Sequence, residues 1–302
     1  MKLVLFNNFV PGILHGDLVV DISEVVAHLP RSSPQQLMES IIQNYVELRP
    51  ALQKFVDVAK GPLASSVRLC PPLPRPRKIL CAIGNYREGT DRTPLPLDFF
   101  IKSSEAVIGP GGTVVLPERQ HDIFHHEAEL GVIIGSEAHN VAASEAMEYV
   151  FGYTAFMDVS GRGGIGKPGF NSFLGKSYNT FAPLGPSIVT ADSIGNPHKL
   201  AVRYWVNGHL RHDYNTDDME HPIPSLIEFA SSVTTLLPGD IIACGTNHQG
   251  LGPLQDGDVG EIEVEGIGRF SINVVDPLKR SWPVGIDDVA AARVREGRPT
   301  TG

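Results

Sequence analysis

Apolar positions change their period several times along the chain, and each change predicts an element. Near the start, Lys2–Phe6 and residues 18–22 read as strands, with Gly and Asn between them. From Ser33 the period becomes helical. Ser33 before Pro34 supplies an N-cap and a first-turn proline, and Leu37, Ile41, Tyr45 and Leu48 fall on one stripe. Pro50 is expected to restart the helix, with Leu52, Phe55 and Val56 continuing that stripe. The run Pro71-Pro72-Leu73-Pro74-Arg75-Pro76 is extended, poorly helical and the clearest boundary. From 77 to 277 the pattern is one of short strands broken by turn residues. Asn207-Gly208 predicts a tight hairpin within 204–210, and 255–258 and 264–268 read as further turns. Helical period returns only over 143–150 and 223–231. The fold class is therefore a β-rich mixed α+β chain, a sandwich or roll rather than a doubly wound sheet. It divides into a small α+β N-terminal domain (1–76), a β domain (77–277) and a tail (278–302) expected to be mobile.

The segment His125-His126-Glu127-Ala128-Glu129-Leu130-Gly131-Val132 alternates as an extended strand does. Ala128, Leu130, Val132 and Ile134 form a row suited to a core, whereas Glu127 and Glu129 share the opposite face. Two carboxylates so placed repel each other. Either they lie on a solvated edge strand, or a counter-charge sits between them. All-oxygen ligands favour Mg²⁺, Mn²⁺ or Ca²⁺ over Zn²⁺. The apolar run 151–157 ends in Asp158 and opens into Val159-Ser160-Gly161-Arg162-Gly163-Gly164. An acid at a strand end beside a flexible loop can act as a third oxygen ligand next to a gate. Lys176 stands in a largely uncharged stretch, 173–186. It is either a snorkelling surface residue or a partner for buried carboxylates and substrate oxyanions.

Composition narrows the classes. A chain of 302 residues can bury a large core. Its formal charge of −9, with no Lys/Arg runs, argues against nucleic acid as a partner. Cys70, Cys81 and Cys244 are far apart and odd in number, as expected for reduced thiols in the cytoplasm. The opening apolar run breaks at Asn7-Asn8, too short for a secretion signal, and no stretch approaches the ~20 apolar residues of a membrane span.

From about Arg77 to Pro277 the chain resembles the fumarylacetoacetate hydrolase superfamily, in the branch of acylpyruvases, oxaloacetate decarboxylases and heptadienedioate isomerases. The markers, in order, are Ile83-Gly84-Asn85-Tyr86, Phe100-Ile101-Lys102-Ser103, the His-His-Glu-x-Glu-Leu-Gly strand and Met157-Asp158-Val159-Ser160-Gly161-Arg162. Gly175-Lys176-Ser177, Val206-Asn207-Gly208, Pro238-Gly239-Asp240 and Cys244-Gly245-Thr246 follow. The resemblance implies the mixed β-roll of that superfamily and a two-fold homodimer. It implies Glu127, Glu129 and Asp158 as ligands of Mg²⁺ or Mn²⁺ (Ca²⁺ being possible by donor type), with Lys176 as an electrostatic helper. The expected substrate is a small 2-oxo acid or diketo acid, whose carboxylate and adjacent carbonyl can chelate the ion and make it an electron sink for C–C cleavage. Lys176 then adds charge near the developing enolate. Tyr86, Arg162 and Thr246 are the substrate-binding candidates. The alternative for Arg162 is a surface loop arginine, and for Thr246 a turn-capping hydroxyl.

Three departures bear on the reaction. Relatives commonly carry Asn-Tyr-x-x-His with a following Glu on a short lid helix, as a base that activates water. Here the sequence is Asn85-Tyr86-Arg87-Glu88-Gly89, with glycine in the histidine's place, so the lid helix is not expected to form. The Arg-Asp-x-Gln loop of many relatives is Arg162-Gly163-Gly164-Ile165. The Gly-Thr turn continues as Asn247-His248-Gln249-Gly250-Leu251-Gly252. His248 is thus the candidate replacement base or acid, and Glu88 a weaker one; a loop histidine is otherwise a polar surface residue. The expected activity is metal-dependent hydrolysis of a C–C bond in an acylpyruvate-like or fumarylpyruvate-like acid. Alternatives are decarboxylation or isomerisation, or metal-dependent binding without turnover.

Overall fold

The computed structural model describes residues 1–58, 60–91, 93–163 and 172–295. Gly164, Ile165, Phe170 and residues 296–302 lie outside them. The central feature is a mixed eleven-stranded sheet. Its middle strands, Ala128–Ile134, Val150–Met157 and Ala182–Thr190, are buried along their whole length. Strands covered on both faces need near-continuous apolar sequence, and these three are largely apolar, with Glu129, Thr154, Ser187 and Thr190 as the polar exceptions. A five-stranded sheet runs in the order 209–215, 201–206, 259–264, 268–275 and 113–115. Its strands Val259–Val264 and Gly268–Val275 touch Val150–Met157 and Ala182–Thr190, giving a two-layer β architecture with few helices. Ser160–Arg162 pairs separately with Ile123–His125.

The predicted turns are present. Asn207 (φ 52°) and Gly208 (φ 77°) join Ala201–Val206 to His209–Asn215, both in the left-handed region that such a turn demands. Helix Ile223–Val233 covers the predicted 223–231. At the N-terminus, helix Pro34–Gln43 is capped by Ser33, whose hydroxyl accepts from the Gln36 N–H at 3.1 Å. The restart falls at Asn44 rather than Pro50. The backbone N–H and Nδ2 of Asn44 both donate to the Ser40 carbonyl, ending the first helix. Pro50 is carried inside Tyr45–Asp57 at the loss of one backbone bond.

Three further expectations need correction. Over 143–150 only a single 3₁₀ turn forms, Ala146–Tyr149. The Tyr149 carbonyl accepts from Gly135 N–H at 2.7 Å, which draws the chain into the sheet at Val150. The tail is not mobile throughout. Arg280 donates to Asp276 and to the carbonyls of Pro117 and Arg119, and Trp282 Nε1 donates to Asp122 O at 2.6 Å. Helix Asp288–Arg295 then buries Ala290 and Ala291. Finally, the proline-rich stretch at 71–76 does not separate two cores. Lys2–Phe6 pairs with Ala182–Thr190, and one apolar cluster contains Leu3, Ile41, Leu130 and Ile272 alike. No helix among the described residues is long and apolar enough to cross a membrane, and all three cysteines are free and buried.

Candidate active site

The register of three strands assembles the site. Ala128 pairs with Met157 and Gly131 with Ala243, so the start of the Glu127–Glu129 segment lies beside the end of the strand leading to Asp158. Asp158 N–H donates to Glu127 O at 2.9 Å, locking the two together. On the other side Gly245 N–H donates to Glu129 Oε2 at 2.8 Å. One oxygen from each of Glu127, Glu129 and Asp158 lies within 4.8 Å of the others, and all three side chains are buried. A solvated edge strand is thereby excluded.

Three cations face this cluster. Lys176 Nζ donates to Glu127 Oε2 at 2.6 Å and also bonds Asp158; Arg162 bonds Glu127; Lys102 bonds Asp158 and Val159 O. All three cations are buried. Burial alone would raise the Glu127 carboxyl, but Lys176 and Arg162 hold it well below the usual carboxylate range. Glu129 is different. No ion pair reaches it among the described residues, and burial, then Asp158 and Glu127, push its carboxyl well above the usual range. A buried carboxylate with one backbone donor and no cation, beside two more carboxylate oxygens, is the donor set of a hard divalent ion. The residues fit Mg²⁺ or Mn²⁺.

The other candidates fall near this centre. Thr246 is buried one residue after Gly245, and its hydroxyl makes a long contact, 3.4 Å, to Asn247 O and also meets the Tyr214 phenol. Tyr86 is buried edge-on against Tyr214 (centroids 4.9 Å) in the wall that Asn85 Nδ2 pins to Cys244 O, near enough to Glu129 for that carboxylate to act on its phenol. His248 is not a free surface residue. Its Nδ1 lies 2.6 Å from Glu88 Oε1, which also accepts the His248 backbone N–H at 2.9 Å. The Nε2 of this ring has no hydrogen bond among the described residues, on a side chain 12 % exposed. The ring lies close enough to Glu127 for its protonation to be felt there.

Glu88 is the weaker of the two candidates in the sequence. The structure gives it its partner. Lys102 went unrecognised as a site residue, although it stands two places after buried Phe100 on the same face of a short strand. His126 and His212 bond one another at 3.1 Å, buried, and His125 bonds Asp287 at 3.0 Å.

Residues 78–275 match the model of the fumarylacetoacetate (FAA) hydrolase C-terminal family. The chain is 33 % identical over 293 residues to a maleylpyruvate hydrolase of Aquipseudomonas alcaligenes, covering 91 % of this chain and 99 % of that one. It is 37 % identical to a mitochondrial oxaloacetate tautomerase of Xenopus laevis, over 70 % of this chain and 69 % of the relative. The crystal structure of maleylpyruvate hydrolase from Sphingobium sp. SYK-6 in complex with manganese(II) and pyruvate superposes with a TM-score of 0.82. There the identity is 36 %, with 91 % of this chain and 99 % of that one covered. Two thirds of the sequence, the β architecture and the buried acid cluster thus agree, and the chain belongs to the fumarylacetoacetate hydrolase family.

Proposed function

We propose that the protein is a divalent-metal-dependent hydrolase that cleaves the C–C bond of an acylpyruvate-like 2-oxo acid, releasing pyruvate and a carboxylic acid. The observation that carries this reading is the Glu127–Glu129–Asp158 cluster, closed by cations on two members and left without one on Glu129. Lys102, Lys176 and Arg162 balance the three carboxylates, so an added divalent ion leaves two positive charges. A 2-oxo acid carrying a carboxylate and an enolate offsets them.

A divalent ion held by these acids would supply Lewis-acid polarisation of the 2-oxo acid oxygens. The chain's own groups do the rest. Arg162 and Thr246 hold the substrate carboxylate. Lys176, fixed between Glu127 and Asp158, keeps a positive charge where enolate charge develops. His248 Nε2 takes a proton from water as its oxygen attacks the acyl carbon, and Glu88 holds the ring through Nδ1 and offsets its charge. The C3–C4 bond breaks with its electron pair passing to C3. His248 then returns the proton to C3, forming the pyruvate methyl group.

The similarity to an oxaloacetate tautomerase favours a second reading, in which the same His248 only moves a proton to or from C3. Incubating the Mn²⁺-loaded protein with an acylpyruvate separates the two. Loss of enol absorbance with stoichiometric pyruvate supports hydrolysis. Keto–enol equilibration without cleavage supports the tautomerase, and release of CO₂ a decarboxylase. Turnover unaffected by removing the metal would refute the whole class.

A further inference from the structure

The C-terminal segment reaches the site through one residue. Asp287 lies at the start of helix Asp288–Arg295 and makes contacts of three kinds. Its Oδ1 accepts from Ala290 N–H at 3.0 Å, capping the helix. Its backbone N–H donates to Leu251 O at 2.7 Å, in the loop that follows His248. Its Oδ2 meets His125 Nε2 at 3.0 Å.

The far side of that ring leads inward. Arg162 Nε–H can only donate, so at its 3.4 Å contact with His125 Nδ1 the ring nitrogen accepts. The His125 proton therefore sits on Nε2 and is given to Asp287. Arg162 in turn places an outer nitrogen on Glu127. His125 and Arg162 are diagonal neighbours on paired strands, Ser160 facing His125 and Arg162 facing Ile123. Both side chains are buried, so the guanidinium has little freedom once His125 is set. The neighbouring chains cross closely as well: a Cβ on Gly252 would lie 2.2 Å from Gly285 O.

We propose that Asp287 is a positioning residue for the active site: through the Asp287–His125–Arg162 relay, the C-terminal segment aims the arginine that faces Glu127 and the substrate carboxylate. The relay rests on the functional reading above only for Arg162's contact with substrate. A device of this kind fixes a ring tautomer from outside the ligand set, as partners of metal-site residues do.

The test is a double-mutant cycle on oxalate binding to the Mn²⁺-loaded protein, measured by calorimetry, with Asp287→Ala, Arg162→Ala and the double variant. Each single change is expected to weaken oxalate about tenfold, the lower end of what such outer partners cost, and the pair also about tenfold. Asp287→Asn has a single oxygen; with that oxygen kept on the Ala290 N–H, its amide nitrogen meets the His125 Nε2–H, so this variant is expected to weaken oxalate as Asp287→Ala does while leaving helix Asp288–Arg295 capped. Nitrogen-15 NMR of His125 in the parent protein is expected to show the Nε2–H tautomer. If Asp287→Ala does not fold, His125→Phe replaces it in the cycle, keeping a ring of similar size and losing both hydrogen bonds. Additive losses near a hundredfold, parent-like binding by Asp287→Ala, or an Nδ1–H tautomer would each overturn the relay. Oxalate binding without turnover of any acylpyruvate would overturn the hydrolase reading instead, and the cycle would still report on the relay.

Discussion

At the residue scale, Glu129 separates what the carboxylates do for stability from what they do for binding. Its carboxyl is raised in the folded state, so its contribution to stability is fully present below the unfolded value and lost as pH rises through the folded one. The metal-free protein should therefore weaken toward alkaline pH, where a divalent ion competing with that proton helps most. Thermal melts are expected to show a larger Tm gain from Mn²⁺ at about pH 8 than at about pH 5.5. Glu129→Gln should keep the Gly245 hydrogen bond, stabilise the metal-free protein by about 1–3 kcal/mol and abolish the Mn²⁺ response. Lys176→Met should do the opposite and destabilise by about 3–5 kcal/mol, since it leaves Glu127 and Asp158 short of a cation. Glu127→Ala and Asp158→Ala are expected to be inactive, and chelated parent protein to recover with Mn²⁺ or Mg²⁺. His248→Ala should lower kcat by ~10²–10⁴ with Mn²⁺ affinity retained. If instead the pH–rate profile of that variant matches the parent's, His248 is not the base.

At the scale of elements, the loop around Glu88 shows why glycine suits position 89. Glu88 (φ 58°) and Gly89 (φ 69°) are consecutive left-handed residues, so the chain turns sharply where a lid helix would run. Glu88 N–H donates to Asp218 at 2.9 Å, and Gln249 Nε2 bonds the Glu88 carbonyl, pinning the turn on both sides. Gly89→His meets open space but an unfavourable backbone, and it is expected to give no rise in kcat. Over the described residues 85–91 the chain turns, in keeping with the glycine at 89. The pairing of Glu88 with His248 was not legible in the residues, because 160 positions separate them and nothing local encodes the contact. A second element-scale expectation concerns Gly252, which lies against Gly285. Gly252→Ala should push the C-terminal segment away and speed amide exchange in helix Asp288–Arg295.

At the scale of the whole molecule, the exposed apolar residues bear on assembly. Among the phenylalanines near loops, Phe181 is buried against Phe124 and Tyr178, and Phe170 lies outside the described residues. Phe173 is 74 % exposed, as are Val46 and Val58 to a similar or greater degree. A two-fold dimer remains the expectation carried over from the family resemblance, and a monomer by light scattering at micromolar concentration would refute it. Local pattern by itself determined the strand alternation that aligns Glu127 with Glu129, the Asn207-Gly208 hairpin, the Ser33 cap and the acid that follows a buried strand at Asp158. Each of these depends on neighbours within a few residues, where backbone geometry dictates which side chains share a face. Only the tertiary structure decided which charges meet. Lys102 was brought to Asp158, Glu88 to His248 and Asp287 to His125 by strand register and chain crossings between segments 56 to 162 positions apart. Burial then fixed the outcome, because a carboxylate's state depends on which cation reaches it and how much water is excluded, and neither is written in the residues beside it.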